Sequence, residues 1–419
     1  MLRRAFLLAA SLALGIALEG RLAAQQAVLN GIDVLEQDHF SELKQLCAKH
    51  GGHLRLALMT NQSGLDAGGN RNIDILFKDA TLEVPGLTFV NLFSPEHGIH
   101  GALDQHDIGN DKDTATGLEV ISLFGATDAQ RHPSKEQLSK LDAVVIDLQD
   151  VGVHFYTYET VVGYFVEAAA DTDLDVVILD RPNPITGIAV QGPVSSPGRE
   201  NYINYMSEPV RHGMTMGELA TYFKAMHHFN TRLTVVRMRG WKRSDWFDAT
   251  GQLWINPSPN LRSLRQAILY PGIGLLERTN LSVGRGTDTP FEMVGAPWLD
   301  GKKIAAYLNS RNIPGVRFIP VQFTPGLKYP FHDELCHGIE FYITNRDLLN
   351  SPELGLEVAA AIYKFFPDTF QIDKVDRLLL NQSAVDALKS GKDPRAVVAG
   401  DAGDLAKFKR DRAAALLYK

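Results

Sequence analysis

The sequence predicts an α/β fold: a parallel-sheet domain, then a smaller α+β C-terminal domain, with an active-site cleft between them. Three observations predict it. From about residue 54, short continuous apolar runs alternate with helical patterns, as in a parallel sheet covered on both faces. Four of these runs end in loops rich in carboxylates, amides or imidazoles, at the edge where such sheets bind ligands. The length, 419 residues, exceeds one average core and calls for two domains.

The elements follow in order. LRLALMTN (54–61) reads as a buried strand and NIDILFKDA (72–80) as a short helix. LTFVNLFS (87–94) and LEVISLFG (118–125) are further strands, and SKEQLSKL (134–141) is a helix with Ser134 as its N-cap. LDAVVIDLQDVG (141–152) is a strand, TYETVVGYFVEAAADT (157–172) a helix, and LDVVILDRP (174–182) the last strand of the sheet. The Pro-rich NPSPN (256–260) marks the boundary, which divides the chain into residues 27–255 and 256–419. Beyond it the pattern is less regular, closing with strand-like IEFYITN (339–345) and helices including ELGLEVAAAIYKFF (353–366). The loop GRGTDTPFE (284–292) is expected to turn towards the first domain.

Composition excludes several classes. Apolar residues make up 45% and charged residues 22%, as in a soluble globular protein, and the net charge of -7 with no basic run argues against a nucleic-acid partner. Residues 1–24 read as a secretory signal peptide: Arg3 and Arg4, an apolar stretch from Ala5 to Leu18, then Ala23 and Ala24 before the cut. The two arginines fit a twin-arginine or a general export signal, so the expected location is periplasmic or secreted, with no permanent membrane anchor. No heptad pattern is present, so a monomer is expected. Cys47 and Cys336 are the only cysteines; they cannot build a four-cysteine zinc site but can pair in an oxidising compartment.

The loop SPEHG (94–98) places Glu96 just after a buried strand. A carboxyl held partly dry there suits general acid catalysis, because burial disfavours its charged form. A metal set from His97, His100, His106 and Asp107 is the alternative, but its spacing matches no helical zinc signature. No dinucleotide-binding glycine motif follows a strand, and no nucleophile elbow is present, so no cofactor is called for. Around Glu96 the other strand-end loops supply Asn61 and Gln62 in TNQSG, Asp150, His154, Tyr156 and Tyr158 in DLQDVGVHFYTYET, and Arg181 and Asn183 in DRPNP. The second domain adds Glu277, Arg278, Asn280, Arg285 and Asp288, whose arginines suit forked recognition of an anion.

These residues carry a resemblance. SPEHG, TGLEVISLFG, DLQDVGVHFYTYET, LDRPNP, PVRHGMTMGELA, SPN and TNLSVGRGTDTPFEMVGAPW occur in the order seen in the secreted exo-β-N-acetylmuramidase family, across nearly the whole mature chain. The resemblance implies a Rossmann-like first domain and removal of terminal N-acetylmuramic acid from the non-reducing end of peptidoglycan fragments. It also implies Glu96 as the main catalytic carboxylate, with His97 beside it. Departures from the family pattern are His154, where arginine is usual, Glu119, and the loop from His100 to Asp113, which is expected to shape the cleft mouth. The substrate's lactyl carboxylate gives cleft arginines a purpose. A second catalytic group is left open between Asp150, Glu277, Asp288 and the substrate's own acetamido group. A muramyl-binding protein without activity, or an esterase or amidase acting on cell-wall material, are the competing classes.

Overall fold

The computed structural model describes residues 27–105 and 107–419. The expected leader at residues 1–24 and the side chain of His106 lie outside the described residues. The first unit is built on a seven-stranded sheet: β1 (Leu54–Thr60), β2 (Leu87–Ser94), β3 (Asp111–Lys112), β4 (Glu119–Ser122), β5 (Ala143–Asp147), β6 (Asp175–Leu179) and β9 (Arg232–Val236). Their order is β3-β4-β2-β1-β5-β6-β9. Every pair is parallel except β3 with β4.

Burial explains the strands. Every residue of β5 and β6 is buried, so both faces of the sheet are covered and the runs carry no polar alternation. The helix Tyr158–Ala168 lies on one face, its Phe165 packed edge-on against Phe93 of β2. Ser134 caps the helix Lys135–Leu138 by accepting from the Gln137 N–H, as expected. The strand order reverses at β1, with β2 and β4 on one side and β5, β6 and β9 on the other. The loops after β1, β2 and β5 therefore part at the carboxyl edge and leave a crevice.

One expectation needs correction, and the cysteine pairing that the sequence left open is not formed. β6 is not the last strand; β9 pairs beyond it, Asp175 to Arg232 through Leu179 to Val236. As an edge strand β9 is only partly buried and lacks the unbroken apolar run of its neighbours. Cys47 and Cys336 are both buried and free, one in the helix Ser41–Lys49 and the other opening β12.

The second unit carries an antiparallel sheet of order β10-β12-β11, from β10 (Met293–Ala296), β11 (Val316–Phe323) and β12 (Cys336–Ile343). The helix Gly301–Ser310 packs on it, and the helix Ser351–Phe365 packs against that helix and against Leu264–Ile273. A two-stranded ribbon, β7 (Gln191–Val194) with β8 (Pro209–Arg211), bridges the units, and Gly192 of β7 abuts Pro352. The segment after the last helices returns to the first unit. There the Tyr418 hydroxyl donates to Asp180 Oδ2 at 2.6 Å and the Leu417 N–H to Glu218 Oε1 at 2.8 Å. Among the described residues no helix is long and apolar enough to cross a membrane.

Candidate active site

β2 ends at Ser94, and Pro95 turns the chain so that Glu96 enters a cavity of about 1130 Å³ between the two units. The next residue, His97, has φ +73°, a left-handed conformation that costs a non-glycine residue about 1 kcal/mol. Its Nδ1 lies 2.7 Å from the Leu103 carbonyl, so Nδ1 carries the proton and donates. Gly101 has φ +60°, and a Cβ there would run into the Gln62 side chain. The loop is thereby wound tightly against β1's own loop, and Gln62 Nε2 reaches on to the Asn256 carbonyl at 2.7 Å.

Glu96 is partly buried, and its Oε2 accepts from Thr157 Oγ1 at 2.8 Å. Thr157 is the residue before the helix Tyr158–Ala168, so the end of β2 and the start of that helix meet at the carboxyl. Tyr158 lies beneath. Its hydroxyl accepts from Asn61 Nδ2 at 2.8 Å and donates to the Pro257 carbonyl at 2.8 Å. Burial above all, then the nearby Glu96 charge, raises the Tyr158 phenol far above its ordinary value, so it stays neutral. Tyr156 stands edge-on to Tyr158 with ring centroids 4.6 Å apart and also lines the cavity.

The opposite wall belongs to the second unit. Arg285 pairs with Glu277 and reaches Asp104 at 2.7 and 2.9 Å. Asp104 also accepts from the Tyr329 hydroxyl at 2.7 Å and from Asn260 Nδ2 at 3.1 Å. Burial alone would raise the Asp104 carboxyl, but the Arg285 charge and these hydrogen bonds outweigh it and hold it at about 2. Arg278 and Lys328 also line the cavity, and neither makes an ion pair among the described residues.

The structure brings Glu96, His97, Tyr156, Tyr158, Glu277, Arg278 and Arg285 to one cavity. The other residues read from the sequence stand elsewhere. Asn61 acts from behind, accepting from Ser63 while it holds Tyr158, and Gln62 fixes the loop. Asp150 is buried away from the cavity, with its Oδ2 on the Gly152 N–H at 2.7 Å. His154 is wholly buried with Nε2 2.9 Å from the Leu378 carbonyl, and burial pushes it down to about 4, so it stays neutral. Arg181 is spent on Asp147, at 2.5 and 2.9 Å, and on the Leu65 carbonyl. Asn183 caps its own turn, accepting from the Ile185 N–H and donating to the Met214 carbonyl. Asn280 joins the Thr369 and Gln371 backbone, and Asp288 is exposed outside the cavity. Of the alternative metal set, His100 and Asp107 are exposed.

Sequence reasoning missed Thr157, Asp104, Asn260 and Tyr329. Thr157 sits inside the aromatic motif that was noticed for its tyrosines, and only its position before a helix marked it. Nothing local marks Asp104, whose partner Arg285 is 181 residues away.

Comparison with known proteins agrees with this architecture. The family model described as exo-β-N-acetylmuramidase NamZ, N-terminal, matches residues 56–265, and the corresponding C-terminal model matches residues 268–418. The chain is 34% identical over 404 residues to the peptidoglycan β-N-acetylmuramidase NamZ of Bacillus subtilis, covering 96% of this chain and 94% of that one. Two crystal structures of DUF1343 family proteins from Bacteroides fragilis superpose with TM-scores of 0.83 and 0.72, at 30% and 28% identity. Each alignment covers 94% of this chain and 99% of the other. With both of its units matched in order, the chain belongs to the NamZ family of exo-β-N-acetylmuramidases, which are glycosidases.

Proposed function

We propose that this protein is an exo-acting glycoside hydrolase. It releases terminal β-linked N-acetylmuramic acid from the non-reducing end of peptidoglycan fragments. Glu96 is the proton donor. The observation that carries this reading is the placement of Glu96: it faces the cavity with Thr157 as its one side-chain hydrogen-bond partner among the described residues, whereas Asp104 and Glu277 there are tied to Arg285.

In the reaction Glu96 gives its proton to the glycosidic oxygen as the bond to the anomeric carbon breaks, and water finally supplies the hydroxyl on that carbon, its other proton returning to the Glu96 carboxylate. Asp150 and Asp288 lie outside the cavity, so neither reaches the anomeric carbon. Glu277 and the substrate's acetamido oxygen are the groups left to assist. Arg278, with no acidic partner among the described residues, is placed to take the lactyl carboxylate by a forked hydrogen bond. The paired Arg285 holds the wall of the cavity rather than the substrate. Tyr156 offers an aromatic face for the sugar ring.

The N-terminal signal supports action outside the cytoplasm, in cell-wall turnover. The test is release of N-acetylmuramic acid from a chromogenic β-N-acetylmuramide by the wild type and by Glu96→Gln. Release by the wild type with loss of most turnover in the variant is expected. Near-wild-type release by the variant rejects the role of Glu96, and no release by either favours a muramyl-binding protein.

A further inference from the structure

Behind the floor of the cavity lies a group of ionisable side chains that the reaction does not touch. Asp150 comes from the loop after β5, Glu159 from the first turn of the helix Tyr158–Ala168, and Glu208 and His212 flank β8. Glu159, Glu208 and His212 are wholly buried and Asp150 is 4% exposed. His212 Nε2 lies 3.5 Å from Asp150 Oδ2 and 3.8 Å from Glu159 Oε2. Its Nδ1 accepts from the Met214 N–H at 3.1 Å, which puts the ring proton on Nε2 and leaves the imidazole neutral.

Among the described residues no lysine or arginine pairs with these carboxyls, and Arg412 meets only the backbone carbonyls of His212 and Gly213. Arg211, adjacent to His212 in sequence, turns away to Gln191 and Thr186 and lies over Trp246. Among the described residues Asp150 Oδ1 and both oxygens of Glu208 have no hydrogen-bond donor, Glu159 has only the Tyr205 backbone N–H beside it, and Asn204 Nδ2 is likewise unmatched. Leaving such carboxylates ionised and dry costs several kcal/mol each. Protons on the carboxyls turn surplus acceptors into donors and let the group satisfy itself. Burial first, then mutual repulsion among Glu208, Asp150 and Glu159, raises Glu159 and Glu208 well above the carboxylate range, in agreement with that arrangement. A donor at His212 Nε2 also speaks against a metal at this nitrogen.

We propose that Asp150, Glu159, Glu208 and His212 form a closed proton-sharing unit that positions the segment from His154 to Tyr158, making Glu159 and Glu208 positioning residues for the reaction. The connection to the site is short. Glu159 follows Thr157 and Tyr158, and Thr157 holds Glu96. The Asp150 charge reaches both Tyr156 and Tyr158, and the Glu96 charge reaches Tyr158 from the other side. Other ionisable neighbours are His154, next to His212, Tyr222 of the helix Met216–Met226, next to Glu208, and Arg412, whose guanidinium donates to the His212 carbonyl at 2.9 Å. The proposal rests on Glu96 as proton donor only for its catalytic arm.

Two measurements test it. The first needs no activity: melting temperature against pH for Glu96→Gln alone and for Glu96→Gln with Glu208→Gln. A carboxyl raised in the folded state contributes stability that is full below its unfolded value and is lost as pH rises through the folded one. The parent is therefore expected to fall behind the double variant progressively as pH rises above about 5. A constant offset between the curves, as an ordinary packing contact gives, overturns the proposal. The second is a split of kcat from KM for Glu159→Ala and Glu159→Gln in the Glu96 background. Alanine is expected to lower kcat by about ten- to a hundredfold with KM little changed, and glutamine to recover most of it. Unchanged kcat in a folded Glu159→Ala protein overturns the positioning role. Turnover by Glu96→Gln sinks the proton-donor reading instead, and the melting curves still decide the buried unit.

Discussion

Thr157 Oγ1 donates to Glu96 Oε2 at 2.8 Å, joining the loop after β2 to the start of the helix after β5. The two segments flank β1, where the strand order reverses, so this bond spans the crevice of the sheet. Among the described residues it is the one side-chain hydrogen bond that orients the proposed proton donor.

Thr157→Val keeps the shape of the side chain and removes the hydroxyl. With its carboxyl free to swing, the enzyme is expected to lose about tenfold in kcat while KM changes little. Steady-state kinetics on the chromogenic muramide checks this, and a loss confined to KM contradicts it.

Arg278→Ala is expected to raise KM for the muramide by about tenfold or more, the worth of one charge-assisted hydrogen bond. A β-N-acetylglucosaminide, which lacks the lactyl group, supplies the control: its weak binding or slow turnover is expected to be unaltered by the substitution. Equal effects on both substrates contradict carboxylate recognition by Arg278.

Asp104 predicts an acid limb of stability. Its folded value of about 2 lies below the unfolded value, so its contribution is full above about pH 4 and is lost as pH falls through 2. Half exposure and solvent screening reduce that contribution to about 1 kcal/mol. Asp104→Asn is expected to lower the melting temperature at neutral pH and to flatten the curve between about pH 4 and about pH 2. A parallel displacement of the two curves contradicts the ion pair as the cause.

Tyr418→Phe removes a hydroxyl that donates to the buried Asp180 and accepts from the Met238 N–H at 3.1 Å. Asp180 keeps Thr215 and Gly217 as donors, so a loss of about 1–3 kcal/mol is expected rather than unfolding. Urea denaturation measures it, with activity of the folded protein unaffected.

How far the sequence disclosed this arrangement depends on the range of each interaction. β5 and β6 were legible because both faces are buried and each is a run of apolar residues with a single aspartate at one end. Glu96 was legible because a proline and a histidine-glycine pair follow a buried strand. Arg181 misled for a physical reason: it does sit at the functional edge, but its charge cancels Asp147 on the next strand. Asp150 misled similarly, because the motif fixes its place at a strand end but not the direction of its carboxyl, which turns inward towards His212. Asp104 shows no local pattern at all, since its meaning lies in residues far along the chain, Arg285 and Tyr329.

The return of Leu417 and Tyr418 to the first unit has a consequence for how the protein divides. Sequence matches suggest a cut between residues 265 and 268. A fragment ending there would leave Asp180 without its phenol and Glu218 without a backbone donor. The two units are thus not interchangeable modules. Swapping the second unit between relatives has to carry over the fit of its final turn, or the grafted chain leaves a gap in the first unit far from the seam.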